Sequence, residues 1–296
     1  MRTEYLGVEF IMDTNDYKWL IPSSPRASLS LEQEKTLWDE LHEEYAKKVL
    51  SLTQDSTVCE TLIRPSSQSP CFDIPNSPEI KVLIPGCGSE IYLQKTLLEF
   101  CPHIGQIYCT DFSQTAIELA KKNWLQADGD SRLNNQQLIF AEVNSTRLTE
   151  QFPDWLNKFD YILVVNSVVS GEDDKNRQML REFYKVLKTG GKLSGFFPTI
   201  FWELEVAYLN QSKAHFLTDG TIDLVRSAYC AQETNDHQIF YTPLRLNRIF
   251  KEAGFKRHSF ELHFGDSDIL AADLKENCEL DDPDIYYLHL LVRLEK

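Results

Sequence analysis

The sequence predicts an α/β protein in which helices cover both faces of a parallel sheet. Apolar segments suited to buried strands alternate with helical segments from about residue 80 to residue 197. The first strand breaks on two closely spaced glycines, and the second ends in an acid. Predicted strands fall near 80–85, 106–111, 137–142, 159–166 and 192–197, and predicted helices near 90–100, 113–125 and 174–188, the last of them ended by Gly190 and Gly191.

The glycines after the first strand are Gly86 and Gly88. Because glycine has no Cβ, the backbone bends sharply there and a ligand lies close against it. Asp111 ends the next strand, about 20 residues beyond Gly88, where a carboxylate accepts hydrogen bonds from ribose hydroxyls. These residues predict a site for a nucleoside-containing cofactor at the strand ends, although a structural turn would also explain the glycines.

Two residues disfavour a dinucleotide at this site. Ile91 stands where the third glycine of the dinucleotide fingerprint belongs. Glu90 places a carboxylate at the start of the following helix, where it would repel a pyrophosphate. The site therefore favours a cofactor with a ribose and no phosphate, such as S-adenosylmethionine (SAM).

Six segments of the chain match motifs of one protein family: Val82–Glu90, Cys109–Ser113, Glu142–Leu148, Phe159–Ser167, Phe183–Leu193 and Tyr241–Phe255. By these segments the chain resembles the class I SAM-dependent methyltransferases. That resemblance implies a doubly wound, mostly parallel seven-stranded sheet with an antiparallel last strand, an N-terminal helical arm and a lid inserted after strand 5. Ile84 and Glu90 depart from the family's first motif, V-L-D-x-G-C-G-x-G, and the Pro-Gly-Cys-Gly form resembles branches that include thiol and some protein-lysine methyltransferases.

The predicted organisation is an N-terminal arm and helix over residues 1–75, followed by a methyltransferase domain over 76–296 with a lid at 198–237. We expect residues 1–30 to be irregular. Ser30 and Gln33 form a capping-box pattern at the start of a helix that runs to about residue 52. Late in the chain we expect a helix over 243–253 that ends at Gly254, then strands over 257–264 and 285–294 separated by a polar, acidic insert.

Composition limits the partners of the protein. The formal net charge of −15 over 296 residues argues against nucleic acid and against an anionic membrane surface. No apolar run approaches the roughly 20 residues that span a bilayer, and the first residues lack a signal-peptide core. Seven cysteines without a C-x-x-C pair predict neither a disulfide framework nor a metal site. We expect a reduced, cytoplasmic protein that acts on a small molecule.

The resemblance also implies roles for residues on the cofactor side. Pro85, Gly86, Cys87 and Gly88 would seat the cofactor, and Asp111 would hold its ribose or instead cap the next helix. The other expected cofactor contacts are Phe112 on adenine, Asn144 with Ser145 at the adenine amino group, Asn166 near the methionine portion or the substrate, and Tyr45 closing from the N-terminal helix. A turn-forming role is the alternative for Asn144.

The acceptor side is predicted in the aromatic lid. Phe201, Trp202, Tyr208 and Tyr241 are the candidate substrate contacts, although lid aromatics also form small cores of their own. His215 and His237 are the candidate general bases, because histidine titrates near neutral pH. Either histidine would equally suit a surface position.

These expectations together predict a SAM-dependent methyltransferase that acts by direct displacement on a small-molecule acceptor. A protein or peptide methyltransferase and a catalytically silent binding protein with this fold are the alternatives. A nicotinamide-dependent oxidoreductase is disfavoured by Glu90 and by the missing third glycine.

Overall fold

Strands and helices alternate along the chain around a central seven-stranded sheet. The computed structural model describes residues 2–5, 8–12, 20–22, 30–48, 52–127, 137–224, 226–230, 237–265, 268–277 and 287–296; side chains are described within these ranges except at 2–22, 41, 43–48, 258, 269, 273, 276 and 277. The strands are β1 (Arg2–Tyr5), β2 (Val8–Met12), β3 (Leu20–Pro22), β4 (Lys81–Pro85), β5 (Gln106–Asp111), β6 (Leu138–Glu142), β7 (Phe159–Val165), β8 (Leu187–Pro198), β9 (Ile222–Asp223), β10 (Ala228–Cys230), β11 (His237–Ile239), β12 (Lys256–Gly265) and β13 (Tyr287–Glu295). The helices are α1 (Leu31–Lys48), α2 (Ser56–Ile63), α3 (Tyr92–Phe100), α4 (Gln114–Ala127), α5 (Leu148–Gln151), α6 (Asp173–Val186), α7 (Ile200–Leu209), α8 (Pro243–Ala253) and α9 (Asp268–Asn277).

The central sheet has the strand order β12-β13-β8-β7-β4-β5-β6. Strands β4 to β8 pair in parallel, whereas β13 is antiparallel to both β8 and β12. The predicted fold class is therefore confirmed. The chain moves outward from β4 to β6 and then returns to the other side of β4 at β7. Ligands of open α/β sheets bind where the strand order reverses in this way, here between β4 and β7.

Alternating apolar residues give the sheet two buried faces. In β4, Val82 and Ile84 face the layer of α2, α3 and α4, whereas Leu83 faces the layer of α6 and α8. Successive strand residues point to opposite faces, so an uninterrupted apolar run fits a strand that is covered on both sides. Leu97 and Phe183 are examples of helix residues that complete these two cores.

The N-terminal region differs from the sequence prediction. The expected irregular arm contains β1, β2 and β3, which form a separate antiparallel sheet. The capping box is confirmed: the Ser30 N–H donates to Gln33 Oε1 at 2.9 Å, and the Gln33 N–H donates to Ser30 Oγ at 3.3 Å. Helix α2 was not predicted; Asp55 caps it by accepting the Thr57 N–H at 2.8 Å.

The predicted role of Gly190 and Gly191 as the end of α6 is wrong. Helix α6 ends at Val186 and Leu187 already begins β8. The two glycines lie inside β8, where its pairing with β7 is irregular and where Gly190 has a φ of 77°. They allow the strand to bulge before it continues along β7.

The C-terminal part follows the prediction more closely. Helix α8 begins after Thr242, whose side chain accepts the Arg245 N–H, and ends at Gly254 in the left-handed conformation. Strands β12 and β13 form the expected antiparallel pair, but the insert between them contains α9, which was not predicted. The division into 1–75 and 76–296 stays a prediction.

Arg293 of β13 joins the end of the chain to its beginning. Its guanidinium is buried, donates to the carbonyl oxygens of Thr61 and Arg64 at 2.6 and 2.7 Å, and lies 4.7 Å from the centre of the Phe72 ring. These carbonyl groups belong to the last turn and the C-cap of α2. Carbonyl groups at the end of a helix have no donor within the helix itself. Arg293 thereby fixes α2 to the sheet.

Within the described ranges, every helix is too short or too polar to cross a lipid bilayer.

Candidate cofactor and acceptor site

A cavity of about 530 Å³ opens at the carboxyl ends of the parallel strands. Its lining includes the loops after β4, β5, β6 and β7, together with residues of α1, α7, α9 and β13. The cavity lies beside the point where the strand order reverses, and its volume is within the range of roughly 300–1,000 Å³ that is common for small-molecule sites.

The loop after β4 forms one wall of the cavity through Gly86, Cys87 and Gly88. Gly86 and Gly88 have φ values of 61° and 63°, which residues with a side chain rarely adopt. A Cβ on Gly86 would lie 2.3 Å from Cβ of Ser167, in the loop after β7. The two loops at the strand-order reversal therefore touch, and this contact requires glycine. Pro85, also predicted to seat the cofactor, is buried at the end of β4 and is not among the lining residues.

Asp111 ends β5 and accepts a hydrogen bond from the loop Gly86–Gly88, called the glycine turn below. Its Oδ2 accepts the Gly88 N–H and its Oδ1 accepts the Ser113 N–H, both at 2.9 Å. Burial raises the pKa of Asp111, against the opposing effect of His42 and the backbone hydrogen bonds. Each carboxylate oxygen retains lone pairs for a further donor. Asp111 therefore makes the capping contact with Ser113, which was the predicted alternative, and also lines the cavity.

Helix α1 covers this side of the cavity. Asp39 accepts hydrogen bonds from Ser113 Oγ at 2.6 Å and from the Thr115 N–H at 3.2 Å, at the start of α4. Burial alone would raise the pKa of Asp39, but these hydrogen bonds outweigh it and lower the pKa. His42, one turn further along α1, is buried in the cavity wall, 3.8 Å from the position that a Cβ on Gly88 would take. The side chain of Tyr45, the predicted contact from this helix, lies outside the described residues.

The predicted adenine contacts Phe112, Asn144 and Ser145 all line the cavity. Asn144 also forms a turn, because its Oδ1 accepts from the N–H and the hydroxyl of Thr146 at 2.9 and 2.7 Å. Both lone pairs of that oxygen are occupied, so the side-chain group left for a ligand is the amide Nδ2. The role of Asn144 as acceptor for an adenine amino group stays a prediction.

Asn166 follows β7 and lines the centre of the cavity. It has a φ of 46°, a left-handed conformation that asparagine tolerates better than most residues. Its Nδ2 lies 3.1 Å from Nε2 of His289, a residue of β13. Burial and the neighbouring His263 lower the pKa of His289 to about 3, so the ring is neutral and Nε2 accepts the bond.

Glu90 and Ile84, the two departures from the first motif, both line the cavity. Burial raises the pKa of Glu90, and the nearby Lys95 opposes that rise. A second carboxylate beside Gly88 and Asp111 favours a cationic ligand over a phosphate at this wall.

The end of the cavity that is predicted to hold the acceptor, called the acceptor end below, is formed by the start of the predicted lid and by β13. Thr199 caps α7 by accepting the Trp202 N–H, and Trp202 and Glu203 of the first helical turn line the cavity. The Trp202 ring lies 4.7 Å from the Tyr287 ring, centre to centre. Burial raises the pKa of Glu203 to about 7, against the opposing charge of Lys213.

Other predicted lid residues lie apart from the cavity lining within the described part of the chain. Phe201 and Tyr208 are exposed on α7. Tyr241 is fully buried, and its hydroxyl donates to the Val168 carbonyl at 2.7 Å. The Tyr229 ring lies 6.2 Å from the Phe216 ring and 6.0 Å from the ring of Phe240, a cavity-lining residue just after the predicted lid.

The two candidate bases also lie apart from the lining. His215 is exposed, and its Nε2 lies 3.6 Å from Oδ2 of Asp219. His237 packs against Gly171, where an added Cβ would lie 2.8 Å from its Nδ1. Their catalytic roles stay predictions, as do the substrate roles of Phe201, Tyr208 and Tyr241.

Sequence reasoning missed several polar residues of the cavity wall. His42 follows Trp38 by one helical turn, so the apolar stripe of α1 contained a signal for it. Glu203 follows the fifth strand within one turn of a capped helix, which is also visible in the sequence. His289 carried no local signal, because β13 reaches the site through long-range pairing with β8.

Comparison with protein families gives a match over residues 83–193 to a family described as a methyltransferase domain. This range includes the glycine turn, Asp111, Asn144 and Asn166. A comparison with curated proteins found no match.

Solved structures share the fold at low sequence identity. A SAM-dependent methyltransferase from Anabaena variabilis is 12% identical with a TM-score of 0.60, over 92% of this chain and 97% of that one. A SAM-dependent methyltransferase from Methanosarcina mazei is 18% identical with a TM-score of 0.54, over 75% and 94%. The [4+2]-cyclase SpnF is 13% identical with a TM-score of 0.52, over 92% and 97%.

The predicted cofactor, SAM, agrees with the family match and with the fold of these relatives. The cyclase among them indicates that the fold does not by itself fix the reaction. Residues 83–193 thus match a methyltransferase-domain family, and the chain shares the fold of solved SAM-dependent methyltransferases.

Proposed function

We propose that the protein transfers a methyl group from SAM to a small-molecule acceptor by direct displacement. The observation that carries the proposal is the single cavity of about 530 Å³, which joins the glycine turn and Asp111 to the Trp202–Tyr287 wall. Residues 76–296 would form the catalytic unit, residues 1–75 its N-terminal cover, and residues 198–237 the lid on the acceptor side.

The residues at the strand ends fit a sulfonium nucleoside. Gly86 and Gly88 leave an open backbone surface, because neither has a side chain in the cavity. Asp111 has lone pairs left for ribose hydroxyls. Glu90 and Asp111 place negative charge where a pyrophosphate would be repelled, whereas a sulfonium cation would be stabilised.

When bound, SAM supplies a methyl group that is already activated by the positive sulfur. The protein's remaining task is to align the acceptor and to exclude water from it. Helix α1 would cover the nucleoside through His42, and Asn166 would lie between the cofactor and acceptor ends. Trp202 and Tyr287 would enclose the acceptor.

The rival functions differ in the ligand that the cavity takes. A protein or peptide methyltransferase would need a groove for an extended chain, and a silent binding protein would retain the cofactor without turnover. The cavity volume of about 530 Å³ favours a small molecule, because it is typical of small-molecule sites.

Calorimetric titration with SAM, S-adenosylhomocysteine and NAD tests the cofactor assignment. We expect both adenosyl ligands to bind and NAD to fail. Asp111→Ala should weaken SAM binding by ~1–3 kcal/mol, because the hydrogen bonds to a charged group are lost. Glu99→Ala, a change of an exposed carboxylate on α3, is the control.

Mass spectrometry of reactions with SAM then tests the acceptor class, with a metabolite mixture in one arm and a peptide library in the other. Methylated metabolites support the proposal. Methylated peptides alone would favour the protein methyltransferase, and S-adenosylhomocysteine binding without any product would favour the silent relative. Binding of NAD in place of SAM would contradict the proposed function as a whole.

A further inference from the structure

We propose that Glu203 binds the methyl acceptor and removes its proton, and that the acceptor is an amine. This inference rests on the proposed methyl transfer and names the acceptor class for the same cavity. It depends on where Glu203 lies, on its lack of a hydrogen-bond donor within the described part of the chain, and on the groups around it.

Glu203 is held at the acceptor end of the cavity by the start of α7. Strand β8 ends at Pro198, Thr199 caps the helix, and Glu203 falls in the first helical turn. All three residues line the cavity. Because β8 runs parallel beside β7, its end is adjacent to the loop of Asn166 and Ser167, at the centre of the site.

Among the described residues, the Glu203 carboxylate differs from two other carboxylates of the cavity wall because it accepts no hydrogen bond. Glu34 pairs with Lys175 at 2.7 Å, and Asp111 accepts two backbone N–H groups. Among the described residues no hydrogen bond reaches Glu203, and the charge that acts on it is that of Lys213. A partly buried carboxylate without a donor gains most from a ligand that brings both a positive charge and N–H groups.

The surroundings of Glu203 favour an ammonium group in particular. Trp202 and Tyr287 present aromatic rings to the same end of the cavity, with Phe240 nearby in the lining. Aromatic faces attract cations. His289 also lines the cavity and is neutral, so it brings no positive charge that would take the place of an ammonium group. A carboxylate or phosphate acceptor would be repelled.

The proton balance of the reaction is also consistent with an amine. The ammonium form of the acceptor gives one proton to Glu203 and becomes a neutral amine with a free lone pair. Transfer then forms the N–C bond and breaks the S–C bond, whose electron pair stays on sulfur; the product is a methylated ammonium. Burial, which raises the pKa of Glu203 to about 7, makes the carboxylate a competent base for amines that titrate at roughly 8–10.

Binding of probes in the absence of turnover tests the inference. The ligands are phenethylamine and its isosteric alcohol, 2-phenylethanol, together with a panel of alkylamines and their alcohols, each titrated into the protein saturated with S-adenosylhomocysteine. We expect the preferred amine to bind at least about tenfold more tightly than its alcohol. Glu203→Gln should abolish that preference, and Glu203→Asp should restore part of it.

Glu205→Gln is the matched control, because Glu205 lies on the same helix but is exposed and outside the cavity lining. It should keep the preference for the amine. The inference is overturned if no amine binds better than its alcohol, or if Glu203→Gln keeps the preference.

The position of the transferred methyl group gives a second test. Products that carry the methyl group on nitrogen, formed by the wild type and lost in Glu203→Gln, support the inference. Products methylated on oxygen or sulfur overturn it and leave the proposed methyl transfer intact. Failure of SAM itself to bind would remove the proposed function as well, so the two failures are distinguishable.

Discussion

The two ends of the cavity are built in different ways. The cofactor end is formed mainly by the loops after β4, β5 and β6, whose residues follow one another closely in the sequence. The acceptor end combines α7 and α9 with β13, and its wall pairs Trp202 with Tyr287 across a long stretch of chain. A site made of consecutive loops is encoded locally, whereas a site made of distant elements depends on the completed fold.

The difference also appears in the charges. At the cofactor end, Asp111 is satisfied by backbone N–H groups, so it is oriented before any ligand arrives. At the acceptor end, Glu203 lacks such support among the described residues. The fixed carboxylate of Asp111 suits a single ligand in a single orientation. The protonation of Glu203, in contrast, depends on the ligand that binds beside it.

The largest effect is expected from Gly86→Ala, at the contact between the cofactor loops. Its Cβ would meet Ser167 at 2.3 Å in a left-handed conformation, so the turn must open. We expect a loss of about 3 kcal/mol in the free energy of unfolding, together with loss of SAM binding. Chemical denaturation and calorimetry provide the two measurements.

Gly190→Ala is the matched control for this change. Gly190 also has a positive φ, but its added Cβ meets no atom of the described residues within 4 Å. It should cost only about 1 kcal/mol and leave SAM affinity unchanged. Equal effects of the two substitutions would mean that the contact between the loops is unimportant.

An intermediate effect is expected from Glu203→Gln on the pH dependence of stability. Burial raises the pKa of Glu203 from 4.5 to about 7, so between these values the folded protein holds a proton that the unfolded chain has released. The free energy of unfolding of the wild type therefore falls as pH rises through this window. Relative to the wild type, the variant should gain ~1–2 kcal/mol between pH 4.5 and 8, with unchanged SAM affinity.

Thermal denaturation of the wild type, Glu203→Gln and Glu205→Gln across this pH range measures how the free energy of unfolding differs between them. The wild type and Glu205→Gln should give parallel curves. A constant difference between the wild type and Glu203→Gln at every pH would show that Glu203 titrates normally.

The smallest effect is expected from Asp39→Ala, which removes the contact of α1 with the start of α4. The lost hydrogen bonds to Ser113 and Thr115 should cost ~1 kcal/mol of stability, as for a helix cap. SAM affinity should fall a few-fold, because His42 would no longer be held over Gly88. Glu40→Ala, on the exposed side of the same helix, should change neither quantity. If SAM affinity is also unchanged in Asp39→Ala, α1 does not belong to the cofactor end.

The same contrast explains what the sequence could predict. The parallel strands and the loop residues from Gly86 to Asn166 were predictable, because each strand is a buried apolar run that ends in a turn residue. Gly190 misled the prediction, since a double glycine after a helical segment usually ends the helix and here serves a bulge in β8. His289 was not predictable, because its place in the cavity depends on the pairing of β13 with β8.

The place of β13 in the sheet has a consequence for biosynthesis. This strand follows β8 and β12 in the chain but lies between them, and its Arg293 donates hydrogen bonds to two carbonyl oxygens at the end of α2. While a nascent chain emerges from the ribosome, the glycine turn and Asp111 are available early, but the wall that carries Tyr287 and His289 arrives last. The cavity therefore closes only after translation of β13, and until then the edge of β8 remains open to mispairing.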